Sequence, residues 1–304
     1  MGKIAFVFAG QGAQHPGMGL DYYEANAVAK AVFDQAEAVR ENTLSQCFYS
    51  DEAVLKDTGN TQPCMFAFEM AIAKALMAEG IRPDMVAGFS LGELSALAVA
   101  GAAPFEVFFD LVCQRGALMQ EAATTYPTAM AAVVKLSNQQ VEAVCEAFAE
   151  AYPVNYNCPG NVSVARKEAS LPAFREAVKA AGGRALPLKV AGGFHSPFMA
   201  EAGSAFEAAL VHWTPEPLKL PVVANLTGDV YRADIKETLA AQMTSPVRWD
   251  KSIRTMLDAG VDNFIEIGPG DSLCGMIKRM DESVRLYSTG SYDSFRKILE
   301  EVNR

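Results

Sequence analysis

Short apolar runs alternate with longer helical patterns along most of the chain. Four of these runs look like buried strands, each leading into a turn and then a helix, at residues 4–9, 85–89, 261–267 and 284–288. Strands that alternate with helices are typical of a parallel sheet covered by helices. The pattern therefore predicts a large domain of the α/β class.

The pattern changes between residues 128 and 190. Strands are predicted at 129–134, 153–156, 162–165 and 184–190, and helices at 138–150 and 167–181. The resulting order, βαββαβ, is typical of a ferredoxin-like unit. We therefore predict a small domain at 128–190, inserted into a large domain that comprises residues 1–127 and 191–304.

Composition and charge narrow the classes of function. The chain has 304 residues and a net charge of −10, so it is a poor general nucleic-acid binder, although an acidic protein could still dock on a local basic patch. Six cysteines show no metal-binding or CxxC spacing and are expected to be free thiols in a reducing compartment. No run is long enough for a membrane span or a signal peptide, so we expect a cytoplasmic protein.

The strongest chemical signal follows the second apolar run. Gly88-Phe89-Ser90-Leu91-Gly92 fits GxSxG between a predicted strand and a predicted helix, which is the setting of a nucleophile elbow. A sharp turn that lifts the serine hydroxyl above the sheet leaves no room for side chains two residues away, which explains both glycines. The alternative is a helix cap, since Ser90 followed by Glu93 is also a capping box.

A serine nucleophile needs a base within hydrogen-bonding reach, and the chain has three histidines. His15 lies in the first glycine-rich loop, and His212 lies in a segment that looks like a structural connection. His195 follows the last predicted strand of the small domain, in a junction loop that can face a cleft. His195 is therefore the favoured base, and a hydrogen-bonded loop histidine is the alternative.

One arginine falls on the apolar face of the helix predicted at 104–121. Arg115 follows Leu111 by four residues and precedes Leu118 by three, so the three side chains share one face. A buried guanidinium needs a carboxylate or phosphate partner. Arg115 would either bind an acidic substrate group through two parallel hydrogen bonds, or form an internal salt bridge or snorkel to solvent.

Together these motifs resemble the malonyl-CoA:acyl carrier protein transacylase family and the related acyltransferase domains of polyketide synthases. The similarity covers almost the whole chain, with motifs at 8–14, 61–63, 88–93, 114–116, 155–160, 194–196, 245–249 and 266–270. So many ordered motifs are far more specific than GxSxG alone. The resemblance implies a hydrolase-like α/β domain with a ferredoxin-like insert, in agreement with the predicted domains.

The resemblance also implies a role for each matching residue of the reaction centre. Ser90 would take the acyl group, and His195 would be its base. The second ring nitrogen of His195 would be held by the backbone carbonyl of Arg248. The backbone N–H groups of Gln11 and Leu91 would form the oxyanion hole.

Three further side chains are expected to contact the substrate. Arg115 would bind the free carboxylate of a malonyl group, and Asn157 lies in one of the matching motifs. Phe194, just before the base, resembles the malonyl-selective pattern of polyketide acyltransferases. Its ring would crowd the α-methyl branch of a methylmalonyl group, which is worth about 1–3 kcal/mol of discrimination.

The function implied is transfer of a malonyl group from coenzyme A to the phosphopantetheine thiol of an acyl carrier protein, in fatty-acid biosynthesis. The alternatives are a trans-acting polyketide acyltransferase, a stand-alone acyl hydrolase and a non-catalytic carrier-binding protein on the same scaffold. Coenzyme A is part of the substrate, so no metal or other cofactor is expected. We expect a monomer that binds the carrier near Lys278 and Arg279, with a merely solvated helix face as the alternative.

Two residues depart from the pattern of the family. Phe89 stands before the serine, where the family usually has histidine, and its apolar ring is expected to change local polarity. Arg166 stands after the third strand of the small domain, where glycine is frequent. The second departure would alter either carrier docking or only a turn.

Overall fold

The computed structural model describes residues 2–188 and 190–302. The strands are β1 (Lys3–Phe8), β2 (Met85–Gly88), β3 (Thr128–Val134), β4 (Ala151–Cys158), β5 (Asn161–Lys167), β6 (Arg184–Pro187), β7 (Val222–Val223), β8 (Val261–Ile267) and β9 (Arg285–Ser288). The α-helices are α1 (Leu20–Ala25), α2 (Ala27–Val39), α3 (Thr43–Tyr49), α4 (Glu52–Lys56), α5 (Thr58–Ala78), α6 (Gly92–Val99), α7 (Phe105–Thr125), α8 (Asn138–Glu146), α9 (Leu171–Ala180), α10 (Ala200–Leu210), α11 (Ile235–Gln242), α12 (Trp249–Asp258), α13 (Ser272–Lys278) and α14 (Tyr292–Val302).

A five-stranded parallel sheet, in the order β7-β2-β1-β8-β9, forms the centre of the larger part. The pairing of β1 places Phe8 level with Gly88 of β2 and with Ile267 of β8. The carboxyl ends of these three strands therefore meet at one edge, where open α/β sheets bind their ligands. The prediction of a parallel sheet is confirmed, and the GxSxG turn lies at this edge.

The apolar runs form these strands because both faces of the sheet are buried, as is usual for parallel sheets. Successive side chains of a strand point to opposite faces. Phe6 and Phe8 of β1 accordingly pack into one apolar cluster, while Ala5 and Val7 pack into a second cluster that contains Trp249. A continuous apolar run is the sequence expected for such a strand.

Residues 128–187 contain a separate antiparallel sheet in the order β4-β5-β3-β6. Its elements occur along the chain in the predicted order βαββαβ. Helices α8 and α9 cover one face, where Phe174 packs with Val162 and Val164 of β5. Two backbone hydrogen bonds join β4 to Val247 of the larger part, since Val247 exchanges N–H and carbonyl contacts with Val154 and Tyr156.

Several element boundaries in this part differ from the predicted ones. Helix α8 ends at Glu146, before Glu150, whose φ of 59° lies outside the helical region. Helix α9 begins at Leu171 because Lys167 still pairs with Thr128 in the sheet, and a proline occupies the first turn of the helix. The last strand ends at Pro187, and Lys189, which belongs to the predicted strand, lies outside the described residues.

Two further observations concern the cysteines and the character of the helices. All six cysteines have free thiols. Among the helices of residues 2–188 and 190–302, none combines the length and the apolar character that a membrane span requires.

Arg166, one of the two departures from the family pattern, is fully buried on β5. Its guanidinium lies 5.0 Å from the ring centre of Phe148 and 4.6 Å from that of Phe174. Its Nε donates to the hydroxyl of Ser170, but neither terminal nitrogen has a hydrogen-bond partner among the described residues. A desolvated cation–π contact contributes about 2 kcal/mol, whereas an uncompensated buried charge costs several kcal/mol.

Arg166→Met is expected to raise the free energy of unfolding by about 1–3 kcal/mol, because an apolar side chain of similar length removes the cost of the unpaired guanidinium. Urea denaturation of the variant and the unaltered protein measures the difference. Arg175→Met, at an exposed position of α9, is the matched control and should change stability by less than about 0.5 kcal/mol. A less stable Arg166→Met protein would mean that the two ring contacts outweigh the desolvation of the cation.

Candidate active site

Ser90 lies in a strained turn between β2 and α6. Its φ is 55°, in the left-handed region that a residue with a side chain occupies only when the surrounding structure enforces it. A Cβ on Gly88 would overlap the backbone of Gly92, and a Cβ on Gly92 would overlap the carbonyl oxygen of Phe8. Both glycines of GxSxG are therefore required by close backbone packing.

The turn resolves the two interpretations of Ser90. Leu91 is the cap residue of α6, and no side chain caps the helix through a hydrogen bond. The hydroxyl oxygen of Ser90 instead lies 2.6 Å from Nε2 of His195. Ser90 therefore does not cap the helix, and its hydroxyl has the contact with a histidine that a serine nucleophile requires.

His195 is held by the backbone on its other side. Its Nδ1 lies 2.9 Å from the carbonyl oxygen of Gln242. Because a carbonyl oxygen can only accept, Nδ1 carries the proton and Nε2 is free to accept a proton from Ser90. His15 and His212, the other two candidates, are both exposed, and the ring of His15 contacts the carbonyl of Pro16.

The assignment of the Arg248 carbonyl as the group that orients His195 is wrong. Arg248 precedes the first residue of α12, and its carbonyl oxygen accepts the backbone N–H of Ser252 within that helix. The orienting carbonyl belongs to Gln242, the last residue of α11. Sequence motifs placed the segment near the site but could not show which of its carbonyls faces the ring.

The two residues expected to form the oxyanion hole line the same cavity as Ser90 and His195, which has a volume of about 270 Å³. Among the described residues, neither the backbone N–H of Gln11 nor that of Leu91 has an acceptor. Leu91 also lies at the amino terminus of α6, where the helix dipole favours negative charge. Two unoccupied donors beside the nucleophile match the requirements of an oxyanion hole.

Arg115 of α7 reaches the nucleophile from inside the protein, with no exposed surface. Its guanidinium donates to the side-chain oxygens of Gln62 and Gln242, each at 2.8 Å, and lies 3.2 Å from the hydroxyl oxygen of Ser90. The ion pairs found among the described residues, all partly exposed, do not include Arg115. The geometry therefore excludes both the internal salt bridge and the snorkelling side chain, and it leaves a cation next to the nucleophile with neutral partners.

Burial and charge set the protonation states at the site. Burial, assisted by the positive charge of Arg115, lowers the pKa of His195 to about 4. Burial also lowers the pKa of Arg115 to about 10. At neutral pH the imidazole is therefore an uncharged base and the guanidinium is a cation.

Both parts of the protein contribute walls to the cavity. Met130 of β3 and Asn155 of β4 line it from the small sheet, Leu188 lines it from the segment just after β6, and Phe194 lines it from the loop that carries the base. Phe89, the other departure from the family pattern, forms part of the wall and packs edge-on against Trp249, with ring centres 5.5 Å apart.

Asn157 is not part of the site, contrary to expectation. Its side-chain nitrogen donates to Asn161 and Ser163 within the hairpin of β4 and β5. Asn155 lines the cavity in its place. Register shifts on both sides of Tyr156 change which side chains of β4 face the cavity, and irregularities of this kind leave no clear mark in the sequence.

Sequence reasoning also missed Gln62 and Gln242, which accept the hydrogen bonds of Arg115. Gln62 lies in a recognised motif but had no assigned role. Gln242 follows Ile235 by seven residues and Leu239 by three, so it lies on the buried face of α11. The argument that singled out Arg115, a polar residue on an apolar helical face, could have found Gln242 as well.

The strained serine, its histidine and the free backbone donors define a serine acyltransferase site, and the sequence model of the acyl transferase domain family matches residues 5–288. Malonyl CoA-acyl carrier protein transacylase of Bacillus subtilis is 37% identical over 99% of this chain and 98% of its own length. The crystal structure of the transacylase from Streptococcus pneumoniae is 37% identical, covers 98% of this chain and 100% of its own, and has a TM-score of 0.94. The chain belongs to the malonyl-CoA:acyl carrier protein transacylase family.

A further solved structure contains a malonyl-transacylase in complex with a type II polyketide synthase acyl carrier protein. It is 33% identical, covers 98% of this chain and 99% of its own, and has a TM-score of 0.94. One structure similar to this chain is therefore that of a transacylase bound to an acyl carrier protein.

The low pKa of His195 predicts an unusual pH dependence for the reactivity of Ser90. With phenylmethylsulfonyl fluoride, a neutral reagent, the inactivation rate should stay constant from about pH 8 to about pH 5.5 and fall only as the pH approaches about 4. The sign follows because the base works when neutral and is protonated only below its folded-state pKa. The rate is measured by mass spectrometry of the modified protein, with Ser90→Ala as the unreactive control. A midpoint near pH 6.5, the ordinary histidine value, would show that the imidazole is solvated.

Proposed function

We propose that the protein transfers a malonyl group from coenzyme A to the phosphopantetheine thiol of an acyl carrier protein, as a step of fatty-acid biosynthesis. The observation that carries this proposal is the buried guanidinium of Arg115, which lies 3.2 Å from the nucleophilic oxygen and is bonded only to neutral oxygens. A malonyl carboxylate supplies the negative charge that this cation lacks. Curated relatives named malonyl CoA-acyl carrier protein transacylase support the same substrate.

The chemistry proceeds in two halves. Ser90 Oγ attacks the thioester carbonyl while Nε2 of His195 takes its proton, and the oxyanion is bound by the N–H groups of Gln11 and Leu91. The C–S bond then breaks, the sulfur takes the proton from His195, and coenzyme A leaves malonyl-Ser90. In the second half the carrier thiol gives its proton to His195 and attacks the ester. Collapse of that intermediate returns the proton to Ser90, so no metal or cofactor enters the balance.

The surrounding assignments complete the proposal. We propose that the protein acts as a monomer in the cytoplasm, whose reducing conditions fit the free thiols. We propose a hydrolase-like large domain, residues 1–127 and 191–304, with a ferredoxin-like small domain at 128–190. The order β4-β5-β3-β6 supports the second assignment, since it is the strand order of that unit. Phe194 borders the cavity and is proposed to disfavour methylmalonyl groups.

Arg115→Ala is expected to lower kcat/KM for the acylation of Ser90 by malonyl-CoA. The decrease should correspond to a loss of about 2–5 kcal/mol of transition-state stabilisation, as is usual when one member of a buried charge pair is removed. Acylation by acetyl-CoA, which has no carboxylate, should be unchanged or improved. Arg115→Lys should restore only part of the loss, because an ammonium group cannot form the two parallel hydrogen bonds. Intact-protein mass spectrometry at short times measures both rates.

Ser90→Ala is the control for this experiment and should form no adduct with either thioester. Addition of the carrier protein separates the alternatives, since transfer moves the malonyl group onto the carrier and hydrolysis releases malonate. Equal losses with malonyl-CoA and acetyl-CoA in a folded Arg115→Ala protein would make Arg115 a structural residue. The absence of an adduct on the unaltered protein would refute the proposed function itself.

The carrier protein is proposed to dock near Lys278 and Arg279, both exposed at the end of α13. The guanidinium of Arg279 donates to the carbonyl of Pro159 in the β4–β5 turn, which places positive charge where the two parts of the protein meet. Helix α13 follows a loop that contains Gly270. Gly270 lies beside Ala13, in the first glycine-rich loop, and this glycine-rich loop also lines the cavity. This position supports a basic rim on the approach to the cavity.

Lys278→Glu combined with Arg279→Glu should raise KM for the carrier and leave acylation by malonyl-CoA unchanged, because rim charges act mainly on association. Arg296→Glu combined with Lys297→Glu is the matched control, an adjacent and exposed basic pair on α14. Carrier titrations at two salt concentrations measure the effect, which should shrink at high salt. Equal carrier KM values for the two double variants would remove Lys278 and Arg279 from the docking surface.

A further inference from the structure

A buried carboxylate in the helix that follows Ser90 has no part in the steps described above. Glu93 follows Ser90 by three residues, in the first turn of α6, and has no exposed surface. A carboxylate without solvent is costly unless it is fully hydrogen-bonded. Its partners therefore indicate what it does.

Three donors meet the carboxylate of Glu93. One oxygen accepts the backbone N–H of Asn225 at 2.9 Å and the hydroxyl of Tyr231 at 2.7 Å. The other accepts the side-chain nitrogen of Gln242. Burial raises the pKa of Glu93 to about 7, and these three hydrogen bonds together with the charge of Arg115 act in the opposite direction. An ionised carboxylate only accepts, so it matches all three partners.

The side chain of Gln242 has one permitted orientation. Its oxygen faces the guanidinium of Arg115, which can only donate. Its nitrogen faces the carbonyl oxygen of Ser90 and the carboxylate of Glu93, which can only accept. A flipped amide would set donor against donor and acceptor against acceptor. Glu93 therefore favours the orientation in which Gln242 presents an oxygen to Arg115.

A second connection runs through Asn225. Its backbone N–H is held by Glu93, its side-chain oxygen accepts the N–H of Ser90 at 2.7 Å, and its side-chain nitrogen donates to the carbonyl of Gly88 at 2.6 Å. The strained turn is thus tied to the same carboxylate. These contacts concern the backbone of the turn, whereas the Gln242 connection reaches the guanidinium itself.

We propose that Glu93 is a positioning residue for substrate selection: by fixing the side-chain amide of Gln242, it aims the Arg115 guanidinium at acyl groups that carry a carboxylate. The inference rests on the proposed function, because it concerns how Arg115 meets the malonyl group. His195 is held by the backbone carbonyl of Gln242 rather than by its side chain. Loss of Glu93 should therefore weaken recognition of the substrate carboxylate more than it slows the acylation of Ser90.

Glu93→Gln tests the inference, because it keeps the shape, removes the charge and replaces one of the two accepting oxygens with a donor, so that the backbone N–H of Asn225 and the side-chain nitrogen of Gln242 can no longer both find an acceptor. The ratio of kcat/KM for malonyl-CoA to that for acetyl-CoA should fall about tenfold to a hundredfold, the range for loss of a hydrogen bond to a charged group. Glu69→Gln is the matched control. Glu69 is also a fully buried acidic residue, but it accepts a hydrogen bond from Ser95, farther along α6. The ratio measured for Glu69→Gln should therefore equal that of the unaltered protein.

A double-variant cycle distinguishes positioning from a general loss of structure. Gln242→Ala should lower the same ratio, and adding Glu93→Gln to it should cause no further decrease. Independent, additive decreases would overturn the inference, as would equal losses with both thioesters or an unchanged ratio in Glu93→Gln. Should Glu93→Gln fail to fold, Glu93→Asp serves in its place: it retains the charge but withdraws it from Gln242, and an unchanged ratio would again overturn the inference.

The unaltered protein separates this inference from the proposed function. If the unaltered protein forms malonyl-Ser90 while Glu93→Gln keeps the preference for malonyl-CoA, only the inference about Glu93 is refuted. If it forms no malonyl-Ser90, the proposed function fails and the inference fails with it.

Discussion

A buried cation beside Ser90, with only neutral groups in direct contact, is the constraint on which the rest of the site depends. Arg115 is completely buried and donates to the amide oxygens of Gln62 and Gln242. Neutral oxygens stabilise a buried charge less than a carboxylate does. The protein thus holds a guanidinium with no anionic group in contact with it. Burial lowers the pKa of His195, and the charge of Arg115 adds to that effect, so the imidazole stays neutral. The proposed carboxylate site therefore lies within 3.2 Å of the hydroxyl that would carry the acyl group.

Rigid elements hold this arrangement in place. The nucleophile lies between a buried strand and a helix, in a turn that admits only glycine at two positions. The base lies in a loop whose Gly193 donates to the hydroxyl of Thr128, where the small sheet begins. The small sheet in turn contacts Val247, close to the end of α11 that carries Gln242. Each chemical group thus comes from a different segment, and the packing of two sheets brings the segments together.

Gln242 shows how a neutral residue can organise charged ones. Its backbone oxygen accepts from His195, its side-chain oxygen accepts from Arg115, and its nitrogen donates to Ser90 and Glu93. Gln242 is neutral, so it adds no charge that the substrate would have to neutralise. The charge that fixes its orientation lies one step farther away, on Glu93. No anionic group therefore contacts the guanidinium directly, as the proposed binding of a substrate carboxylate requires.

The sequence by itself determined the parallel sheet, the βαββαβ order of the insert, Ser90 in its turn and Arg115 on a buried face. These features depend on local pattern: buried strands need apolar runs, a tight elbow needs glycine, and helical spacing shows which face a residue occupies. Only the tertiary structure decided that the carbonyl of Gln242 rather than that of Arg248 orients His195, and that Asn155 rather than Asn157 faces the cavity. Both outcomes depend on where a helix begins and where a strand shifts register. When a helix end or a strand register moves by one or a few residues, a different carbonyl or side chain faces the site. The sequence pattern hardly changes, so it does not reveal the difference.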